Sequence, residues 1–213
     1  MKPIIIVGAG AFGKEVYTVI ESLNYEASTK GQEPPYKLLG FIDDNLDALK
    51  DSPIKAPVLG RVSGWTPLGD EVYAVGAAFP DTKRKMVEPL KTKGCRFETL
   101  IAPWSIVSSD FIMGEGCFVT AYSISAGVTL GDFVNVMGSM LCSGTVIGDY
   151  STTTGFTVVE NAEIGRDVFV GSHAVVASGV HVGNNVMISV GSIVVSDVED
   201  GTTVFGVPAT VIA

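Results

Sequence analysis

The chain is poor in the residues that most often carry catalysis or crosslink a fold. Its 213 residues include two histidines and three cysteines, Cys95, Cys117 and Cys142. The cysteines show no CxxC or zinc-ligand spacing, so the pattern favours reduced thiols in a cytoplasmic protein over a disulfide framework, and no metal site is expected. Cys117 and Cys142 fall inside a repeat and are predicted to be packing residues.

Positive charge and long apolar runs are also scarce. Fourteen basic residues face 23 acidic ones, which leaves a net charge of −9 and argues against a nucleic-acid partner. A small anion is still an acceptable ligand, because backbone amides bind phosphate without any net positive charge. No apolar run is long enough to span a membrane, and the N-terminus lacks the features of a signal peptide.

A repeat occupies the second half of the chain. Five segments begin with an apolar residue and a glycine, separated by 17, 17, 17 and 18 residues. Two more apolar columns follow six and eleven residues later, which makes three sides per segment. Such hexapeptide periodicity predicts a parallel β-helix, whose turns bury their apolar edges on one another. The columns are Met113, Leu130, Ile147, Ile164 and Val182; Val119, Val136, Thr153, Val170 and Ile188; and Ile124, Leu141, Val158, Val175 and Ile193.

The first hundred residues lack this repeat and alternate between strand and helix patterns. Strands are predicted at 3–7, 38–42, 72–76 and 96–101, and helices follow at 14–20 and 82–93. This alternation predicts a small Rossmann-like unit with a parallel sheet. Pro103 marks the junction, so the predicted domains are 1–102 and 103–213.

The first strand runs into GAGAFG and then into a helix, the context in which glycines let a phosphate approach helix amides. A dinucleotide such as NAD is one interpretation. However, the first acids at a strand end, Asp43 and Asp44, come 30 residues after Gly13, and the unit is short. A nucleotide-linked small molecule is the favoured ligand. The other alternative is that the glycines serve only to form a tight turn between strand and helix.

Several motifs in order resemble one family over nearly the whole chain. IIIVGAGAFGKEV, LLGFIDDN, PVLG, the hexapeptide repeats and TTVFGVPATVI are similar to those of the NeuD/PglD sugar acetyltransferases. The resemblance implies an α/β domain that holds a nucleotide-sugar and a left-handed β-helix that binds acetyl-CoA. It also implies a homotrimer with active sites between neighbouring subunits.

The resemblance further assigns binding residues. Near the nucleotide-sugar it implies Gly8, Gly10, Phe12 and Gly13, with Asp43 and Asp44 close to the base or ribose. Near acetyl-CoA it implies Ser172, Val190 and Gly191.

The expected catalytic histidine is missing. Where the family has His followed by an acid, this chain has Ser143 and Gly144. A serine is no general base near neutral pH, so Glu160 and His173 are the other candidates. Glu160 shares a repeat column with Ser143 and is expected to stack beside it, about 5 Å away. His173 lies in a different column, and His181 is expected to point outward.

Two functions therefore stay open. The first is acetyl-CoA-dependent acetylation of a nucleotide-linked amino sugar in surface glycan synthesis, in which an amine acceptor needs little help from a base. The second is an inactive or regulatory trimer that binds the nucleotide-sugar. Two further departures from the family favour it, because Ala102 replaces a frequent histidine and Thr210 replaces a cation that meets the CoA phosphates.

Overall fold

A computed structural model describes all 213 residues, and the chain divides into two compact units, Met1–Pro103 and Trp104–Ala213. The first is an α/β unit and the second is a parallel β-helix, which confirms the predicted fold class. No helix is long and apolar enough to cross a membrane.

The α/β unit is built on a five-stranded sheet. The strands are all parallel and lie in the order β3-β2-β1-β4-β5. The middle strand is apolar and fully buried from Ile4 to Val7, as expected of a central strand in a doubly wound sheet. The elements are β1 (Lys2–Val7), α1 (Ala11–Thr29), β2 (Tyr36–Ile42), β3 (Val58–Gly60), β4 (Val72–Val75), α2 (Pro80–Lys91), β5 (Arg96–Phe97) and β6 (Leu100–Ile101).

Three details differ from the pattern expected from sequence. The short strand β3 was not expected, because three residues give too little periodicity to detect. Helix α1 continues to Thr29, well past the predicted end. The last predicted strand is two short strands, Arg96–Phe97 and Leu100–Ile101, because only the first of them pairs within the five-stranded sheet.

The β-helix has three faces, each a parallel sheet with one short strand per turn. Face one contains β7 (Ile106–Val107), β10 (Ser123–Ile124), β13 (Met140–Leu141), β16 (Val158–Val159), β19 (Val175–Val176) and β22 (Ile193–Val194). Face two contains β8 (Ile112–Met113), β11 (Thr129–Leu130), β14 (Val146–Ile147), β17 (Glu163–Ile164) and β20 (His181–Val182). Face three contains β9 (Phe118–Thr120), β12 (Asn135–Met137), β15 (Thr152–Thr153), β18 (Phe169–Val170), β21 (Met187–Ile188) and β23 (Thr203–Gly206), which turns back into the antiparallel strand β24 (Ala209–Val211).

The predicted interior columns are right on two faces and partly wrong on the third. The column of Val119, Val136, Thr153, Val170 and Ile188 is fully buried. In the third column, however, Leu141 pairs with Val159 rather than Val158, and Val176 and Val194 follow it. The corner between Thr153 and Val159 is one residue longer than its counterpart between Val136 and Leu141. Val158, Val175 and Ile193 therefore face outward and are only half-buried.

Candidate functional site

A pocket of about 350 Å³ opens at the carboxyl ends of β1 and β4. These neighbouring strands run in the middle of the sheet, and the chain leaves them toward helices α1 and α2. Open α/β sheets bind ligands at this kind of switch point. The pocket is lined by Gly8, Gly10, Ala11, Phe12, Asp43, Gly76, Ala77, Ala78, Phe79, Thr82 and Met86.

Both helices point their amino ends at this pocket. Gly10 is the N-cap of α1 and Phe79 is the N-cap of α2, and neither cap makes a side-chain hydrogen bond to its helix. The first amides of a helix have no partner within the helix and carry the positive end of its dipole. The pocket therefore suits an anionic group such as a phosphate.

The glycines of the first loop serve two purposes. A Cβ on Gly13 would lie 2.0 Å from the Gly8 carbonyl oxygen, and one on Gly8 would lie 2.9 Å from the Gly76 carbonyl oxygen. Gly8 also has a φ of +99°, which favours glycine. These residues let the two loops and α1 pack closely. Gly10 has nothing within 4 Å of a Cβ position, so the open space lies beside it.

Asp43 is held by the backbone around it. Its Oδ2 accepts the Ala9 amide at 2.7 Å and its Oδ1 accepts the Asn45 amide at 2.8 Å. One oxygen thus fixes the glycine loop and the other fixes the turn after β2. The carboxylate lines the pocket and positions Ala9 within the loop.

Asp44 lines a second pocket, of about 410 Å³, with Val62, Ser63, Thr82, Lys85, Met86 and Pro89. Thr82 and Met86 belong to both pockets, so the two are adjacent. Asp44 Oδ1 accepts the Ser63 amide at 3.2 Å and the Ser63 hydroxyl at 2.9 Å. Arg61 donates to the Asp44 carbonyl. The pocket thus pairs a fixed acidic side chain with a lysine and an apolar floor.

Of the six predicted substrate residues, Gly8, Gly10, Phe12 and Asp43 share the first pocket, Gly13 packs behind it, and Asp44 lines the second. The loop 76–79 and the α2 residues Thr82, Lys85 and Met86 were missed. The loop that follows β4 could have been found, because it leaves the strand beside β1 at the predicted switch point. The α2 residues carry no motif that would have marked them.

In the β-helix, Ser143 and Glu160 lie where face one turns into face two, and both are exposed. The one-residue shift in register changes which residue of the earlier turn lies beside Glu160. The Cys142 amide donates to the Val159 carbonyl at 2.9 Å, so Cys142, not Ser143, stands beside Glu160. The expected stacking of Ser143 on Glu160 is therefore wrong by one residue. Burial, and then the nearby Glu160 carboxylate, raises the pKa of the Cys142 thiol, which keeps it protonated.

Gly144 and Asn161 follow at the same corner. Gly144 has a φ of +79°, and a Cβ there would lie 2.3 Å from Asn161 Oδ1. Asn161 Nδ2 donates to Ser178 Oγ at 3.4 Å. The amide of Asn161 thus occupies the space that an acidic side chain at position 144 would need.

His173 lies at the opposite corner of face one. It is exposed, has a φ of +62°, and its ring centroid lies 5.0 Å from that of Phe156. Glu160 follows Phe156 by four residues of nearly extended chain, which places their Cα atoms about 13 Å apart. The ladder thus separates His173 from Ser143 and Glu160 within one chain.

The predicted acetyl-CoA residues lie beside His173. The Gly191 amide donates to the Ser172 carbonyl at 2.9 Å, and Ser172 Oγ donates to Thr154 Oγ1 at 3.1 Å. Val190 is 61% exposed. These residues form a small exposed corner in the later turns of the β-helix.

The second histidine points outward from face two. His181 Nδ1 lies 3.1 Å from Glu163 Oε2, and both side chains are exposed. No group of three or more His, Cys, Asp or Glu residues is placed to hold a metal ion.

Comparisons with known proteins agree with this architecture. Residues 3–88 match the model of the PglD N-terminal domain. The acetyltransferase domain of PglB from Neisseria gonorrhoeae, solved in complex with acetyl coenzyme A, is similar over 99% of both chains, with 25% identity and a TM-score of 0.81. The perosamine N-acetyltransferase from Caulobacter crescentus, solved with CoA and GDP-perosamine, covers 99% of this chain and 97% of its own, with 23% identity and a TM-score of 0.69.

A curated relative shares part of the sequence. The serine acetyltransferase of Synechococcus elongatus is 31% identical over 106 residues, which are 44% of this chain and 43% of the relative. The match thus spans less than half the length of that relative. Together, the comparisons confirm the resemblance that the sequence motifs predicted.

Proposed function

We propose that this chain, a NeuD/PglD-like protein by its N-terminal domain and its fold, is an acyltransferase that moves an acetyl group from acetyl-CoA to a nucleotide-linked amino sugar in surface glycan synthesis. The observation that carries the proposal is the similarity, at 25% identity over 99% of both chains, to an acetyltransferase domain solved with acetyl coenzyme A. The pocket of the α/β unit supports the nucleotide-sugar half of the substrate pair.

The nucleotide-sugar is proposed to lie along the two adjacent pockets. Its phosphates would meet the amino ends of α1 and α2, where Gly10 leaves open space. Its nucleoside would lie against Asp44 and the apolar floor formed by Val62 and Met86. In this arrangement Asp43 holds the loop that carries the phosphates.

The acetyl donor is assigned to the β-helix by resemblance, at Ser172, Val190 and Gly191. Val190 and Gly191 are exposed and Ser172 is half-buried at the same corner, so the corner is open to a ligand. The turn from Gly206 to Ala209 at the end of β23 keeps the sequence GVPA, which supports this assignment. Thr210 supplies no cation there.

In the reaction, the neutral sugar amine attacks the thioester carbonyl and a C–N bond forms. A proton passes from the attacking nitrogen to a base, the C–S bond breaks, and the CoA thiolate that leaves takes up that proton to become the thiol. Glu160, His173 or water is proposed to accept that proton, and Ser143 to orient the amine by a hydrogen bond. A serine in place of histidine favours an amine over a hydroxyl acceptor, since a neutral amine is already nucleophilic.

A homotrimer in the cytoplasm is part of the proposal. The outward positions of face one are apolar except for Ser123, and Ile106 and Met140 are 67% and 40% exposed. An apolar stripe of this kind supports association with further copies of the chain. The three free cysteines support a reducing compartment.

Calorimetry with acetyl-CoA, UDP-sugars and GDP-sugars tests the proposal, followed by a transfer assay on a panel of amino sugars. We expect binding of acetyl-CoA and of one nucleotide-sugar, and release of CoA only when both are present. Failure to bind acetyl-CoA at millimolar concentration would refute the proposed transferase activity.

The second candidate is a binding protein without transferase activity. The observation that favours it is the pair Ser143 and Gly144 at the corner where the family has a catalytic histidine and acid. In a thermal-shift screen, stabilisation by a nucleotide-sugar but not by CoA would select this candidate over the enzyme.

A further inference from the structure

A buried polar relay lies at the amino end of β4, the end away from the two pockets. Trp65 Nε1 donates to Tyr73 Oη at 2.8 Å, and Tyr73 Oη donates to Glu71. The Leu68 amide also donates to Glu71, at 2.6 Å. Trp65, Tyr73 and Glu71 are 9%, 1% and 4% exposed. Burying polar groups costs free energy unless they are hydrogen-bonded, so a buried relay of polar side chains needs a physical reason.

The charge states of the relay favour a fixed geometry. Burial alone would raise the pKa of Glu71, but hydrogen bonds from Tyr73 and from nearby backbone amides together hold it below its usual range. Burial, and then the hydrogen bond to Glu71, raises the pKa of Tyr73, so the phenol remains a donor. Glu71 Oε2 is buried with no partner, so Oε1, which accepts from Tyr73 and from the Leu68 amide, is the oxygen that anchors the carboxylate.

Trp65 connects this relay to the second pocket. It sits in the loop 61–71 between β3 and β4, and its amide donates to the Val62 carbonyl at 3.2 Å. Lys93 Nζ donates to its carbonyl at 2.6 Å, and the ring packs on Gly60, where a Cβ would lie 3.3 Å away. Trp65 is therefore held at its ring, its amide and its carbonyl.

The same loop forms one wall of the second pocket. Val62 is 6% exposed and lines it, and Ser63 lines it while holding Asp44 Oδ1 through both its amide and its hydroxyl. Arg61 holds the Asp44 carbonyl. The position of Asp44 thus depends on a loop whose own anchor is Trp65.

We propose that the Trp65–Tyr73–Glu71 relay is a positioning device for nucleotide binding. It fixes the loop 61–68 so that Val62, Ser63 and Asp44 present one preformed wall to a nucleoside diphosphate. The inference rests on the proposed function, because it takes the nucleoside as the occupant of the second pocket. A preformed wall increases affinity by removing the cost of ordering the loop when the ligand binds.

The test uses Tyr73→Phe in the full chain, with Tyr36→Phe as the matched control. Tyr36 also donates from its hydroxyl to a glutamate, Glu98, at 2.9 Å in the same unit, but it lines neither pocket. Three quantities are measured: the Kd of UDP and GDP, the Kd of acetyl-CoA, and the amide hydrogen exchange of residues 61–68. Trp65→Phe is a second variant, which removes the indole donor but leaves the bond between Tyr73 and Glu71.

For Tyr73→Phe and Trp65→Phe we expect nucleotide binding weaker by about tenfold, as for one lost buried hydrogen bond, with faster exchange in 61–68 and an unchanged Kd for acetyl-CoA. Tyr36→Phe should leave all three quantities unchanged. Faster exchange with unchanged nucleotide binding, or equal weakening of both ligands, would overturn the positioning role. If the wild-type protein binds neither UDP nor GDP, the proposed nucleotide site itself fails, and this inference with it.

Discussion

The pocket of the α/β unit and the Ser143 corner of the β-helix differ in how glycine shapes them. In the α/β unit, Gly8 and Gly13 bring two loops and the amino end of a helix together around an open pocket. At the corner, Gly144 stands where a functional acid is expected, and Asn161 fills the space beside it. At the first site we propose that the backbone itself supplies the binding groups. At the second, the family resemblance places a histidine and an acid where this chain has Ser143 and Gly144.

Gly13→Ala tests the packing role of glycine in the α/β pocket and has the largest expected effect. The new Cβ would meet the Gly8 carbonyl oxygen at 2.0 Å, and this backbone clash cannot be relieved by a side-chain movement. We expect a loss of about 3 kcal/mol in the free energy of unfolding, which exceeds the gain in helix propensity, together with loss of nucleotide binding. Urea denaturation and calorimetry measure the two effects.

Gly10→Ala is its control, because Gly10 has a φ of −71° and nothing within 4 Å of a Cβ position. Its cost should be below about 1 kcal/mol. Equal losses for the two variants would show that the loop tolerates side chains at both positions, contrary to the packing role of Gly13.

This contrast also explains how far the sequence could be used for prediction. The strand, glycine loop and helix at the N-terminus are adjacent in sequence, so the glycine motif and the family resemblance it carries predicted Gly8, Gly10 and Phe12 as neighbours. Ala77, Phe79 and Met86 join the same pocket only through the pairing of β1 with β4, which no local motif encodes. On the β-helix, the starting glycines predicted the faces, but one added corner residue moved Val159 inward in place of Val158 and placed Cys142 beside Glu160.

The second half of the comparison is tested by Glu160→Gln. If the corner still works as an active site with Glu160 as base, the amide cannot accept a proton, and kcat for N-acetylation should fall about 100-fold with little change in KM. Glu163→Gln is the matched control, since Glu163 is an exposed carboxylate on face two that contacts His181. Equal rates for the wild type and Glu160→Gln would leave water or His173 as the acceptor.

The corrected register of the β-helix predicts a difference between two adjacent valines. Val159 is fully buried, so Val159→Ala should cost about 2 kcal/mol of unfolding free energy from lost burial and the cavity left behind. Val158 is half-buried and faces outward, and Val158→Ala should cost about 0.5 kcal/mol. Thermal or urea denaturation measures both. A larger cost at Val158 would restore the register that the simple 17-residue count predicted.

A smaller effect is expected from acid on the α/β unit. Since hydrogen bonds hold the folded pKa of Glu71 below its ordinary value of 4.5, its stabilising contribution is complete above that value and is lost as the pH falls through the folded pKa. Glu71→Gln should therefore be less stable than the wild type at pH 7, and the difference should narrow as the pH falls below 4.5. Glu33→Gln, at an exposed carboxylate paired only with the N-terminal ammonium, should show little such convergence, because exposed ion pairs contribute little to stability.

The smallest effect is expected at His173. Its size shows whether the His173 corner takes part in catalysis in addition to the Glu160 corner. His173 is exposed, packs against Phe156 and lies at the corner opposite Glu160. His173→Asn keeps a residue that tolerates the left-handed backbone, so the corner should stay folded. We expect kcat within about twofold of the wild type, and a rise in KM for acetyl-CoA of at most about threefold, since Ser172 is its neighbour.

A fall in kcat comparable to that of Glu160→Gln, with KM unchanged, would instead make His173 the base, reached from a neighbouring subunit. In that case the loss of the histidine at position 143 would be a relocation of the catalytic group rather than its removal.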